Sequence, residues 1–129
     1  MFRPQLCGLF LFGGFYTESL KNNQQFQNVY HNGKSRANKY IVVYAVKNGL
    51  PINRLGITCS KKVGNSVIRH HFARLVRESY RLHENIFNSG LDIVVVARKA
   101  AAEASYHDIE ASLLSLSKSQ HIIIEETHS

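Results

Sequence analysis

The chain has 129 residues, 44% hydrophobic and 19% charged, which fits one soluble globular domain able to bury a core; it has no internal repeat or low-complexity tract. Its formal net charge of +7 and sequence pI of about 9.7 favour a phosphate-rich partner over an acidic one. Two unrelated cysteines, Cys7 and Cys59, without CxxC spacing or a Cys/His cluster, exclude a disulfide scaffold and a zinc site and fit a reducing cytosol.

The N-terminus carries one arginine, Arg3, before a short apolar run from Leu6 to Phe15. The pattern loosely resembles a secretory leader, but the run is too short to span a bilayer and no small-x-small cleavage site follows. Residues 1–18 are expected to form a flexible or loosely docked extension, or to reflect an upstream alternative start. One domain over 19–120 and a tail over 121–129 complete the division.

Residues 17–33 read as a short helix. Asn22 or Asn23 can cap it, Phe26, Val29 and Tyr30 recur at helical spacing, and Gly33 follows at the stop. Lys39 to Val46 (KYIVVYAV) is a strand by its β-branched and aromatic content. Asn48-Gly49-Leu50-Pro51 is a turn or hairpin loop. Leu55 to Ser60 alternates as a half-buried strand, with Cys59 as a small buried residue.

A basic helix follows, from about Ser66 to about His83. At about 100° per residue, Ile68, Phe72, Leu75, Val76 and Leu82 share an apolar arc, while Arg69, His70, Ala73, Arg74, Arg77 and Arg81 share the opposite one. A folded core does not require the second arc; a row of guanidinium groups on a rigid element suits a polyanion. From spacing alone a solvated basic face is an equal reading. In the preceding turn, Gly64 can adopt a backbone conformation closed to other residues. Asn65 or Ser66 can cap the helix, and Lys61 and Lys62 lie just upstream of an N-terminus that attracts phosphate. His70 and His71 are adjacent, so they point about 100° apart and cannot share a metal without outside ligands.

Asn88-Ser89-Gly90 breaks the chain, and Leu91 to Ala97 (LDIVVVA) has the near-continuous apolar character of a central strand covered on both faces. The last helix starts at Ser105, which has capping-box spacing to Asp108 and precedes the stripe Tyr106, Ile109, Leu113 and Leu116. Ile122-Ile123-Ile124 is expected to pack on the core. The order helix–strand–strand–helix–strand–helix predicts a small two-layer α+β sandwich.

Several of these segments, in this order and spacing, resemble the protein subunit of bacterial ribonuclease P. They are Leu20 to Tyr30 (LKNNQQFQNVY), Gly33 to Asn38 (GKSRAN), Arg54 to Val67 (RLGITCSKKVGNSV), and Asp92 to Arg98 (DIVVVAR) followed by Ala100 and Ala101. The similarity covers roughly residues 20–117. It implies a ribonuclease P protein-like α/β sandwich with a left-handed crossover, a hand that general chain topology disfavours. It further implies a cytoplasmic protein subunit without catalytic residues. A large RNA subunit, using Mg²⁺ bound mainly by RNA, would cleave precursor tRNA to its mature 5′ end. The protein would bind that RNA through its basic turn and helix and hold the 5′ leader in a cleft on its sheet.

Carried over by position, Lys61, Lys62, Gly64 and Asn65 match the family's turn, and Arg69, Arg74 and Arg77 match its helix motif. His70 stands where asparagine is usual, His71 where arginine is usual, and Ala73 where lysine is usual. Imidazole cannot reproduce the two-pronged contact of arginine with phosphate. Phe26 and Tyr30 match aromatic positions of the cleft, with Tyr40 and Tyr44 as neighbours from the following strand. From helical spacing alone Phe26 and Tyr30 read more readily as core residues. Two other functions are weighed. A general RNA-binding or ribosome-associated protein would use the same helix. A protein-only nuclease would need paired carboxylates, which the acidic residues do not supply in sequence. No helix-turn-helix pairing points to DNA.

Overall fold

The computed structural model describes residues 9–12 and 15–123, with side chains from Ser19 onward. Cys7, most of the apolar N-terminal run and Ile124 with the tail beyond it lie outside the described residues. The elements are β1 (Leu9–Phe12), β2 (Phe15–Ser19), α1 (Asn23–Asn32), β3 (Lys34–Ala37), β4 (Ile41–Lys47), β5 (Asn53–Thr58), α2 (Ser66–Leu82), β6 (Leu91–Ala97) and α3 (Tyr106–Ser119), with single 3-10 turns at Glu84–Ile86 and Lys99–Glu103.

The six strands form one mixed sheet in the order β1-β2-β5-β6-β4-β3. β1 and β2 form an antiparallel hairpin whose second strand runs parallel to β5. β5 and β6 are parallel neighbours joined across α2, while β6–β4 and β4–β3 are antiparallel. Two expectations are corrected at the start of the chain. Residues 9–12 and 15–19 belong to the sheet, where a flexible or loosely docked extension was expected. The helix begins at Asn23, because the aromatic and β-branched segment from Phe15 pairs with β5 before Asn22 closes a capping box with Gln25.

Asn48–Pro51 is a turn as expected, with Gly49 at φ 75° and the Asn48 Oδ1 accepting the Leu50 N–H at 2.7 Å. It is not a hairpin loop, since β6 lies between β4 and β5. β3 escaped the sequence reading altogether. All four of its residues are exposed, so an edge strand of sequence KSRA carries no apolar alternation.

The sheet is covered unequally. α2 and α3 pack on one face against Ile41, Val43, Leu55, Ile93 and Val95. α1 crosses part of the other, with Val29 against Val94. Covered from both sides, β6 is buried along nearly its whole length, as the apolar run anticipated. On α2 the wheel needs two corrections. Tyr80 is fully buried, its ring 4.8 Å from Phe87, and contributes about 1.5–3 kcal/mol of burial. Leu82 is 58% exposed, having an angular position only about 20° from His71. Ser105 and Asp108 form the expected capping box, and Ile122 is buried while Ile123 bridges to Phe87. Among the described residues no helix is long and apolar enough to cross a membrane.

Candidate nucleic-acid interface

The basic turn is built around two short side chains. Asn65 caps α2, its Oδ1 accepting the Ile68 N–H at 3.0 Å. The Ser60 hydroxyl and carbonyl accept the N–H groups of Lys62 and Val63. Gly64 is required for a reason other than the one expected. Its φ is not positive; instead, a Cβ there would come within 2.8 Å of the Ile68 side chain. The first turn of α2 therefore closes directly onto the loop, and the exposed Lys61 and Lys62 sit beside the positive end of a 17-residue helix.

Along α2 the outward row is His70, Arg74, Arg77 and Arg81, within an arc of roughly 60°. His70, His71 and Arg74 are exposed, while Arg77 and Arg81 are half-buried. Arg81 makes an ion pair with Glu78 at 3.1 Å, of a surface kind worth little. Arg69 leaves the row. It lies about 20° from Val76 on the wheel, and its Nε is buried without a hydrogen-bond partner. Its charge acts on Cys59, whose thiol is pushed up by burial while Arg69 pulls the other way.

On the opposite face of the sheet, Phe26, Tyr30 and Tyr44 form an aromatic trough. The Phe26 and Tyr30 rings are 6.4 Å apart, and Tyr30 meets Tyr44 edge-on at 5.0 Å. All three are only partly buried, as are Val42, Val96 and Thr58 beside them. The Tyr30 hydroxyl is 3.1 Å from the Thr58 Oγ1, which fixes the ring over the end of β5. Gly56 permits this arrangement, since a Cβ at that position would lie 2.6 Å from the Phe26 ring. Tyr40, expected here, is on the other face. It packs against the core beneath α3, with the Lys39 ammonium 5.0 Å from its ring centre. The trough ends at Thr58, three residues before Lys61, so chain continuity joins aromatic floor to basic turn.

The carboxylates of Asp92, Glu110 and Asp108 are engaged elsewhere. Asp92, almost wholly buried, receives two 2.7 Å hydrogen bonds from Arg54 and one of 2.9 Å from Asn48. The Glu110 carboxylate is 2.8 Å from the His83 ring, a contact that holds its pKa below the usual range. Asp108 is likewise lowered by the Ser105 backbone N–H it accepts. Among the described residues no group of three or more His, Cys, Asp or Glu side chains is placed to hold a metal ion. The sequence reading missed Arg54, Asp92 and Gly56 as individuals; Gly56 within an alternating strand was the available signal, marking a close approach.

Comparison with known proteins converges. The family model Ribonuclease P matches residues 16–120. The ribonuclease P protein component of Lachnoclostridium phytofermentans is 62% identical over 107 residues, covering 83% of this chain and 92% of the relative. That of Alkaliphilus metalliredigens is 48% identical, covering 81% and 94%. Among solved structures, the Staphylococcus aureus RNase P protein superimposes with a TM-score of 0.76 at 36% identity, covering 81% of this chain and 96% of that one. The Thermotoga maritima RNase P protein gives 0.70 at 34% identity, covering 76% and 93%.

Proposed function

The chain belongs to the bacterial ribonuclease P protein family, and from that premise we propose that it binds the catalytic RNA through its basic turn and helix and holds the 5′ leader of precursor tRNA in its aromatic trough. The observation that carries this reading is the junction at Thr58, where a partly open aromatic floor runs into the turn that starts α2. The cationic row on α2 attracts a phosphate backbone through counterion release. The rings of Phe26, Tyr30 and Tyr44 offer faces and edges on which leader bases stack, with little preference for base identity. The two surfaces lie on opposite faces of the sheet, so one chain can hold two RNA segments at once.

In this reading the protein contributes affinity and placement, and the RNA subunit performs the cleavage that yields the mature tRNA 5′ end. Mg²⁺ held mainly by that RNA supplies the charge stabilisation for hydrolysis. The site of action is the cytoplasm. Reconstitution with the ribonuclease P RNA of the same source tests the proposal. The protein should lower the Mg²⁺ requirement and favour precursor over mature tRNA, while protein alone should cut nothing. Phe26→Ala should weaken leader-bearing substrates by about 1–3 kcal/mol, the contribution of one stacked base, and leave mature tRNA unaffected. Equal weakening of both substrates would move Phe26 from leader contact to core support.

A further inference from the structure

We propose that β3 forms the exit lip of the trough, and that Lys34 and Arg36 on its edge grip the phosphates of leader nucleotides that have crossed the aromatic floor. The proposal rests on the leader-binding reading above and extends it to a surface that reading does not use.

Register defines the path. The paired residues place Thr58, Val96, Val42 and Ala37 in one row across β5, β6, β4 and β3, and Gly56, Val94, Tyr44 and Ser35 in the next. Both rows lie on the trough face, and both end on β3 in a small side chain. The first row is the open one, since Thr58, Val96 and Val42 are only partly buried; in the second, Val94 is fully buried beneath Val29 of α1. Three strand steps separate the basic-turn end from β3, about 14 Å at the usual spacing.

The edge itself is cationic. Lys34 and Arg36 pair with Ala45 and Val43, so they project to the opposite face from the trough, at its rim. Arg36 is held in place, its Nε donating to the Ser119 hydroxyl and its Nη1 to the Ser35 carbonyl, both at 3.2 Å. Lys118, next to that anchor, is also exposed. Among the described residues neither Lys34 nor Arg36 is paired with a carboxylate. β3 also ends the strand order, so half of its backbone N–H groups point outward as further donors.

A second copy of the chain is a poor occupant, because edge-to-edge pairing would bring like charges together, a device that keeps sheet edges apart. A strand of the RNA subunit is disfavoured because α3 packs on β3 and β4 and so stands between this rim and the α2 row. A single-stranded polyanion leaving the trough fits both the charge and the continuity.

The test is a leader-length series on the reconstituted holoenzyme with the double variant Lys34→Gln/Arg36→Gln. Both positions are exposed, so thermal melting should superimpose on wild type. Affinity should match wild type for leaders too short to cross the floor, then fall about three- to tenfold for longer ones. Over the long-leader range the salt slope should drop by about 1.4, two contacts at roughly 0.7 each. Lys34→Gln alone, which leaves the Arg36 anchor intact, should give part of the loss at the same threshold length. Identical curves at every length overturn the proposal, as does an equal loss for mature tRNA or for RNA-subunit binding. Phe26→Ala run in parallel separates the two ideas. If it weakens leader-bearing substrates while the double variant follows wild type, the trough stands and the lip does not. If it leaves leader discrimination intact, the trough reading falls and the lip falls with it.

Discussion

The two candidate RNA-binding regions of this chain are built on different principles. The row on α2 is a set of separate charges on a rigid rod, and the position of each depends only on helix geometry. The trough is an interlocked assembly in which Phe26 sits over Gly56, Tyr30 is fixed by Thr58, and Tyr44 meets Tyr30 edge-on. The first kind of surface tolerates substitution, losing one phosphate contact at a time. The second does not, since displacing one ring alters the shape that its neighbours define. Of the three positions at which the resemblance implies a departure, His70, His71 and Ala73, all lie on α2 and none in the trough.

Two glycines break the comparison open. Gly56→Ala places a methyl group 2.6 Å from the Phe26 ring and 2.9 Å from Leu20. Both contacts are far ends of side chains, so the fold yields and the ring moves. The expected result is a loss of leader affinity approaching that of Phe26→Ala, about 1–3 kcal/mol, with RNA-subunit affinity unchanged. Gly64→Ala meets the Cβ, Cγ2 and Cδ1 atoms of Ile68 at 2.8–2.9 Å. Here the first turn of the helix itself must shift, straining the Asn65 cap, a feature worth about 0.5–2 kcal/mol. RNA-subunit binding should weaken while leader discrimination survives. Binding measured separately to the RNA subunit and to precursor and mature tRNA separates the two; if both variants damage both functions alike, the surfaces are not independent.

The legibility of the sequence followed the same divide. α2 was readable because its pattern depends on its own periodicity; the burial of Phe72, Leu75 and Val76 follows from spacing, and of the two caps offered, Asn65 and Ser66, the structure uses Asn65. Arg69 was misplaced where 100° steps put it beside Val76, on the flank of the buried stripe. The buried run of β6, a cap at Asn22 or Asn23 and the capping box at Ser105 were local signals too. The trough was legible only through family resemblance, because Phe26 and Tyr30 at helical spacing look like core. Tyr40 could not be separated from Tyr44 without knowing where β4 starts; at Ile41, Tyr40 precedes the strand and turns to the other face. β3 gave no signal, since an exposed edge needs no apolar residues, and the insertion of β6 between β4 and β5 is a long-range pairing that no local pattern encodes.

Arg74 sharpens the contrast from the charged side. It is the exposed arginine of the outward row, so Arg74→Ala should remove one phosphate contact and little else. The salt slope of RNA-subunit binding should fall by about 0.7–0.9, with thermal stability within about 0.5 kcal/mol of wild type. A slope left unchanged would show that the row faces solvent in the complex.

The smallest effect concerns the histidines. His70 and His71 are both exposed on α2. Imidazole is the one side chain whose ordinary change of charge falls between about pH 5 and pH 8. The protonated form is the one phosphate favours, so affinity for the RNA subunit should rise as pH falls through that interval. His71→Asn should remove part of that rise. A simple arginine row, whose charge is constant over the interval, gives a flat profile instead. A flat profile in both proteins would make the histidines spectators and leave Arg74 and Arg77 to carry the helix.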